Sequence, residues 1–172
     1  MRKILQKEEK VLRGVAEEVP IEEISSEKVR TVIAEMKEVL AKEDDGAALA
    51  APQIGIPLRI FIISGKILCA NSEKPKPDLV FINPKIAGVS KKTQEIEEGC
   101  LSARWLYGLV RRSEKARIEA YDENGKKFTR SGSGLMAQIF QHEVDHLNGV
   151  LFIDRAKKVE EYRPDEGKSM SI

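Results

Sequence analysis

Apolar residues recur at helical spacing in two stretches of the chain, and most of the others fall in short β-branched runs. From Ser25 or Ser26, either of which can serve as N-cap, Val29, Val32, Ile33, Met36, Val39 and Leu40 trace one face of a helix. Lys28, Arg30, Glu35, Lys37, Glu38 and Lys42 occupy its other face, a solvated one. A second helix is predicted over Gly134–Leu147, capped by Ser131 or Ser133 and closed by Asn148-Gly149. It is apolar at Leu135, Met136, Ala137, Ile139, Phe140, Val144 and Leu147, on nearly every side, so it is read as buried.

The β pattern is more broken. Ile56–Ser64 reads as a buried strand with Pro57 at its start, and Leu79–Ile82 as a short strand stopped by Asn83-Pro84. Lys85–Glu97 alternates loosely and supplies one or two more strands. Lys115–Tyr121 and Lys126–Arg130 flank Asn124-Gly125, a hairpin signal. Val150–Ile153 returns to extended, buried chain. Residues 1–24 read as an irregular arm, and Asn71–Asp78, with Pro75 and Pro77, as a surface loop. Residues 156–172 are expected to be a charged, flexible tail holding at most a short amphipathic helix. Strands outnumber helices and connections are short, which predicts one α+β domain over 1–172, with antiparallel sheets packed around the buried C-terminal helix.

Composition narrows the function classes. With 29 Lys and Arg against 28 Asp and Glu, the interspersed charges give no case for direct nucleic-acid or membrane binding. No run approaches about 18 consecutive apolar residues and the N-terminus has no apolar signal core, so a cytoplasmic location is expected. Cys69 and Cys100 are therefore read as two separate thiols rather than a bridge.

The chemistry concentrates on the second helix. Both histidines of the chain, His142 and His146, stand four residues apart with Glu143 between them. On a helix such a pair lies roughly 40° apart around the axis and about 6 Å along it, so both imidazoles can face one ion. Glu143, turned about 100° from His142, can reach a water at that ion without ligating it. Burying these groups in an apolar helix would otherwise cost roughly 1–7 kcal/mol for each unpaired polar group.

A catalytic ion usually takes three protein ligands. The extended protease motif His-Glu-x-x-His-x-x-Gly-x-x-His matches as far as Gly149 and fails at Phe152. Asp154, Glu160 and Glu161 lie in an exposed-looking segment, whereas Cys100 follows Gly99 at the end of a predicted strand and offers a soft thiolate. A third segment, Gly46–Gly55, is dense in small residues that let another backbone approach, with Gln53 as its only long polar side chain.

Gly46–Gly55, Glu98–Ser102 and Gln141–Gly149, in this order and at these separations, closely resemble the three signature motifs of peptide deformylases. The resemblance extends through Phe81–Pro84, the Asn124-Gly125 hairpin and Gly149–Asp154, covering most of residues 1–155. It implies hydrolysis of the N-formyl group from the initiator methionine of newly made proteins. By position it implies Cys100, His142 and His146 as metal ligands, Glu143 as general base and then acid, and Gln53 with the Leu101 N–H as donors to the developing oxyanion. The ion it implies is Fe(II), with Zn(II), Ni(II) or Co(II) able to take the same site.

Formylated nascent peptides, with a transient ribosome contact, are the implied partners. Gly46, Ala48, Gly99, Trp105 and Tyr107 are the implied substrate-binding residues. Ala48 stands where the family usually has a second glycine, and the segment 103–108 replaces a Pro-containing turn. Two alternatives carry different tests: a His-Glu-x-x-His metallopeptidase, and a catalytically weak protein that binds formyl-peptides.

Overall fold

The computed structural model describes residues 2–69 and 76–163. The expected loop therefore lies partly, and residues 164–172 of the expected tail wholly, outside the described residues, as does the side chain of Cys69. Among the described residues, helices α1 (Glu27–Ala41) and α2 (Leu135–Leu147) accompany eight strands. Strands β1 (Ala48–Ala50), β2 (Ile60–Ile63), β3 (Leu79–Val89), β6 (Lys115–Tyr121) and β7 (Lys127–Ser133) form one sheet in the order β1-β2-β3-β6-β7. Strands β4 (Thr93–Glu98), β5 (Leu106–Ser113) and β8 (Lys157–Glu161) form a second sheet in the order β4-β5-β8. Every pairing between these strands is antiparallel. The α+β class read from the sequence is the observed one.

The five-stranded sheet has helices on both faces, which explains the unbroken apolar run of β2. Ile60 and Ile62 pack toward α1 with Val80 and Ile82, while Phe61 and Ile63 pack toward α2 with Phe81. Alternate side chains point to opposite faces, so a strand covered on both sides needs apolar residues at every position. Phe61 pairs with Phe81 in register, their rings stacked 4.4 Å apart, and Phe140 of α2 meets Phe81 edge-on at 5.6 Å. Helix α1 begins as expected, with Ser26 Oγ accepting from the Val29 N–H at 3.3 Å.

Several expectations change in physically specific ways. Strand β3 does not stop at Asn83-Pro84 but continues to Val89, and its register with β6 shifts between Ile82 and Lys85. Asn83 adopts φ 51°, absorbing a bulge, and its side chain accepts from the Val19 N–H at 2.8 Å and donates to the Val19 carbonyl at 2.7 Å. A bulge leaves an unpaired position where proline costs no ladder hydrogen bond. Helix α2 is capped by Gly134 at φ 56°, not by Ser131 or Ser133, which belong to β7. Phe152–Asp154 form a short 3-10 turn in place of the expected extended chain.

The tail expectation is corrected too, since Lys157–Glu161 pair with β5. Their side chains are all exposed, so the strand is held by its backbone, which a hydrophobicity pattern does not register. The N-terminal arm closes the C-terminal end of α2. The Ala16 N–H donates to the Leu147 carbonyl at 2.9 Å, and a Cβ on Gly149, at φ 74°, would stand 2.6 Å from the Arg13 carbonyl oxygen.

Candidate active site

Helix α2 carries His142, Glu143 and His146, all buried, on the flank turned toward the end of β4. The chain leaves β4 through Glu98-Gly99-Cys100, and the thiol arrives 3.2 Å from His146 Nε2. One ligand atom from each of Cys100, His142 and His146 lies within 4.8 Å of the others. The two imidazole rings are 4.9 Å apart at 71°. Phe152, the residue at which the protease motif fails, lies with its ring centroid 6.4 Å from that of His142.

Gln53 comes from the short 3-10 turn after β1. Its Oε1 accepts from the Ala50 N–H at 2.7 Å, which fixes the amide so that Nε2 points away from its own turn. That nitrogen donates to Ser102 Oγ at 3.1 Å and lies 3.6 Å from Cys100 Sγ, while the Ser102 N–H approaches the sulfur at 3.4 Å. Three segments far apart in sequence thus meet at one sulfur and two imidazoles.

Sequence reading missed the frame behind them. Glu98 is fully buried and accepts from His142 Nδ1 at 3.0 Å, leaving the Nε2 edge of that ring free for an ion. Arg112 of β5 grips both Glu98 oxygens, at 2.7 and 2.9 Å, and donates to Asp145 Oδ2 at 2.6 Å. Arg155 reaches the other Asp145 oxygen at 2.9 Å. A second bridge spans the rim, where Arg104 pairs with Glu43 and with Asp45, tying the segment after Cys100 to the turn before β1.

The electrostatics follow from burial and these contacts. Burial pushes Glu98 up, but the Arg112 and His142 hydrogen bonds outweigh it and bring its pKa down to about 2. Burial pushes Glu143 up to about 7, against the opposing charge of His142 and with a further push from Glu98. His142 is lowered by burial yet held well above its ordinary value by the Cys100 sulfur and Glu98, whereas burial and His142 drive His146 well below.

Among the described residues, Glu143 Oε2 and His146 Nδ1 are buried side-chain atoms without a hydrogen-bond partner. An orphaned carboxylate oxygen beside a thiol and two imidazoles fits an ion of the borderline-soft class.

The expected substrate residues divide. Ala48 and Gly99 line a small cavity with Gln53, Leu101, His142 and Glu143, whereas Gly46, Trp105 and Tyr107 do not. A Cβ on Gly46 would meet Leu40 Cδ1 at 2.8 Å, so this glycine serves packing beneath α1. Tyr107 lies behind Gly99, where an added Cβ would fall within 2.4 Å of its ring. Trp105, at φ 67°, lies 5.6 Å from the Arg104 guanidinium, and its carbonyl accepts from the Tyr162 N–H. A wide groove of about 790 Å³ elsewhere, with Lys115, Arg117 and Arg130 on its walls, contains none of these residues, so volume alone does not locate the chemistry.

An α+β frame presenting two imidazoles and a buried glutamate on one helix, with a thiol from the end of β4 beside them, defines a metal-dependent hydrolase of the His-Glu-x-x-His class. The family profile for polypeptide deformylase matches residues 1–162, and the chain belongs to that family. It is 39% identical to peptide deformylase 2 of Clostridium acetobutylicum over 156 residues, 90% of this chain and 94% of the relative. The fold is similar to the crystal structure of a peptide deformylase from Legionella pneumophila, with a TM-score of 0.80 at 38% identity, covering 91% of this chain and 86% of that one. It is equally close to the enzyme from Thermotoga maritima, with a TM-score of 0.80 at 34% identity, covering 92% and 99%.

Proposed function

We propose that this chain hydrolyses the N-formyl group of newly made proteins beginning with formyl-methionine, releasing formate and a free amino terminus. The convergence of Cys100, His142 and His146 beside the partnerless oxygen of Glu143 carries this reading. The three donors would hold a divalent ion, Fe(II) foremost with Zn(II), Ni(II) or Co(II) as substitutes, which would supply Lewis acidity able to lower the pKa of water from 15.7 toward about 7.

Glu143 accepts the proton of the attacking water and later delivers it to the departing amine nitrogen, so the proton count closes on formate and amine. Gln53 Nε2 and the Leu101 N–H donate to the oxygen that becomes negative, an interaction worth roughly 3–4 kcal/mol for one donor. The Oε1 contact with Ala50 holds the Gln53 amide in place beforehand, so little reorganisation is needed during reaction. Ala48 and Gly99 flank the bound peptide backbone. The reading includes a cytoplasmic location and transient contact with the ribosome; no helix among the described residues is long and apolar enough to cross a membrane.

The test is formate release from formyl-Met-Ala-Ser by anaerobically prepared, Fe(II)- or Ni(II)-loaded protein, beside Glu143→Ala and Cys100→Ala. Formate from the wild type, a loss of at least about a hundredfold in Glu143→Ala and a fall in metal content in Cys100→Ala are expected. Peptide-bond cleavage would assign a metallopeptidase instead, and metal binding with neither product a formyl-peptide-binding protein.

A further inference from the structure

Charges that alternate along the sequence are segregated by the fold at one end of the five-stranded sheet. Ala116 and Ile118 of β6 pack in the cluster under α2, so Lys115 and Arg117, at the alternate positions, turn to the opposite face. Ser133 and Ser131 of β7 stand directly across from them in register, and Gly88 of β3 flanks Arg117 on the other side. Two cations and two hydroxyls thus form a square, about 6.8 Å along each strand and about 5 Å between strands. Gly88 leaves the floor beside it bare, and an added Cβ there would stand 4.0 Å from Arg117 Nη2. Helix α1 packs over β1 and β2, and Lys115, Arg117, Ser131 and Ser133 are all exposed.

Arg130 is a third cation on the wall of this groove, whose lining residues include no carboxylate. The neighbouring lysines differ in having acids to answer them: Lys85 pairs with Glu18, Lys92 with Glu114 and Lys127 with Glu119. Among the described residues, Lys115, Arg117 and Arg130 have no carboxylate partner. Cations spaced along a strand, with hydroxyl donors beside them, match the oxygens of successive phosphates, which take most of the hydrogen bonds in nucleic-acid complexes from such side chains. The groove, of about 790 Å³, is open on a sheet face and so suits a polymer lying across it better than an enclosed small ligand. Three cations fall short of the clusters of about four to eight that mark anionic-membrane surfaces.

We propose that this groove binds the phosphate backbone of RNA through Lys115, Arg117 and Arg130, with Ser131 and Ser133 as neutral donors. The choice of RNA among polyanions rests on the deformylation reading, because newly made proteins leave a particle built largely of RNA. Binding is weak and without base selection, and it shares no residue with the cavity at Glu143. The balanced charge of the chain as a whole, which gave no case for nucleic acid, conceals a local field of one sign.

The test measures fluorescence anisotropy of a labelled oligouridylate with the Zn(II)-loaded protein over a range of salt. Three phosphate contacts predict a slope of log K against log salt of about −2, so affinity should fall roughly twentyfold between about 50 and 200 mM. The variant Lys115→Gln/Arg117→Gln/Arg130→Gln should bind at least about tenfold more weakly at the lower salt. Lys85→Gln/Lys92→Gln/Lys127→Gln, which removes the same charge from paired positions nearby, should bind as the wild type does. Formate release from formyl-Met-Ala-Ser should be the same in the groove variant and the wild type.

Equal losses in the two triple variants would show that net charge alone is read and would overturn the proposal. So would poly-glutamate or phosphatidylserine vesicles binding the wild type as tightly as the oligouridylate, which would assign the groove to an acidic protein or a membrane. Amide shifts of the Zn(II)-loaded wild type on titration with oligouridylate should cluster at residues 88–90, 115–117 and 130–133, and shifts clustered elsewhere would remove the groove even if a variant failed to fold. Absence of formate from the wild type removes the deformylation reading, whereas formate release without RNA binding removes only the role of the groove.

Discussion

At the scale of single residues, what orients the candidate metal centre is a relay of charges rather than the ligands alone. Glu98 has no exposed surface, and Arg112 is the cation that grips both of its oxygens. Removing one partner of such a buried pair leaves an uncompensated charge and costs about 3–5 kcal/mol. Arg112→Met should therefore lower stability by about that amount, read from urea melts. It should also weaken metal binding by roughly 10–100-fold, because the Glu98 carboxylate no longer fixes the His142 ring. Stability and metal affinity both matching the wild type would show that the relay is incidental.

The signal for Arg112 was present in the sequence but masked. Gly108, Val110 and Arg112 share the buried face of β5, yet two adjacent arginines, Arg111 and Arg112, read as a polar break. Asp145 gave the complementary hint, a carboxylate on a helix otherwise read as apolar on nearly every side, which needs a cation when buried.

At the scale of elements, the bulge at Asn83 shows how one strand serves two partners. Strand β3 pairs with β2 up to Ile82 and with β6 on to Val89, and the shift between these registers is absorbed at Asn83-Pro84. Asn83 supplies both the left-handed backbone and the two hydrogen bonds that anchor Val19 of the N-terminal arm. Asn83→Ala loses both and is expected to cost about 2–4 kcal/mol, whereas Asn83→Gly keeps the backbone freedom and should cost less. Thermal melts of the two variants check the order, and equal losses would assign the whole effect to the hydrogen bonds.

The same bulge marks the limit of legibility. Both helices were readable because a periodic apolar face is a local property, and β2 because it is covered on both sides. Strands β5 and β8 were not. The outward face of β5 carries Leu109 beside Arg111, β8 buries no side chain, and both are defined by pairing partners distant in sequence. For the site, His142, Glu143 and His146 followed from helical spacing alone, while Cys100 and Gln53 drew support from family resemblance.

At the scale of the molecule, the two sheets divide the work unequally. The five-stranded sheet and both helices hold the two large apolar clusters, whereas the second sheet adds a small one around Ala103, Val110 and Phe152. Strand β8 pairs with β5 at Leu106, Tyr107 and Leu109, while Arg112 lies further along β5, where β4 is the partner. A chain ending after Ala156 should therefore keep the relay to His142 and its metal content. Since β8 exposes all its side chains, the stability lost should be about 1 kcal/mol, a fall of roughly 2–4 °C in Tm. The cost appears elsewhere. Uncovering β5 exposes an edge next to Leu109, already 39% exposed, and an open apolar edge invites pairing with a second chain. Size-exclusion chromatography should show the shortened chain associating at concentrations where the full chain does not. A shortened chain that does not associate and loses its metal would mean instead that β8 holds the candidate site together through β5.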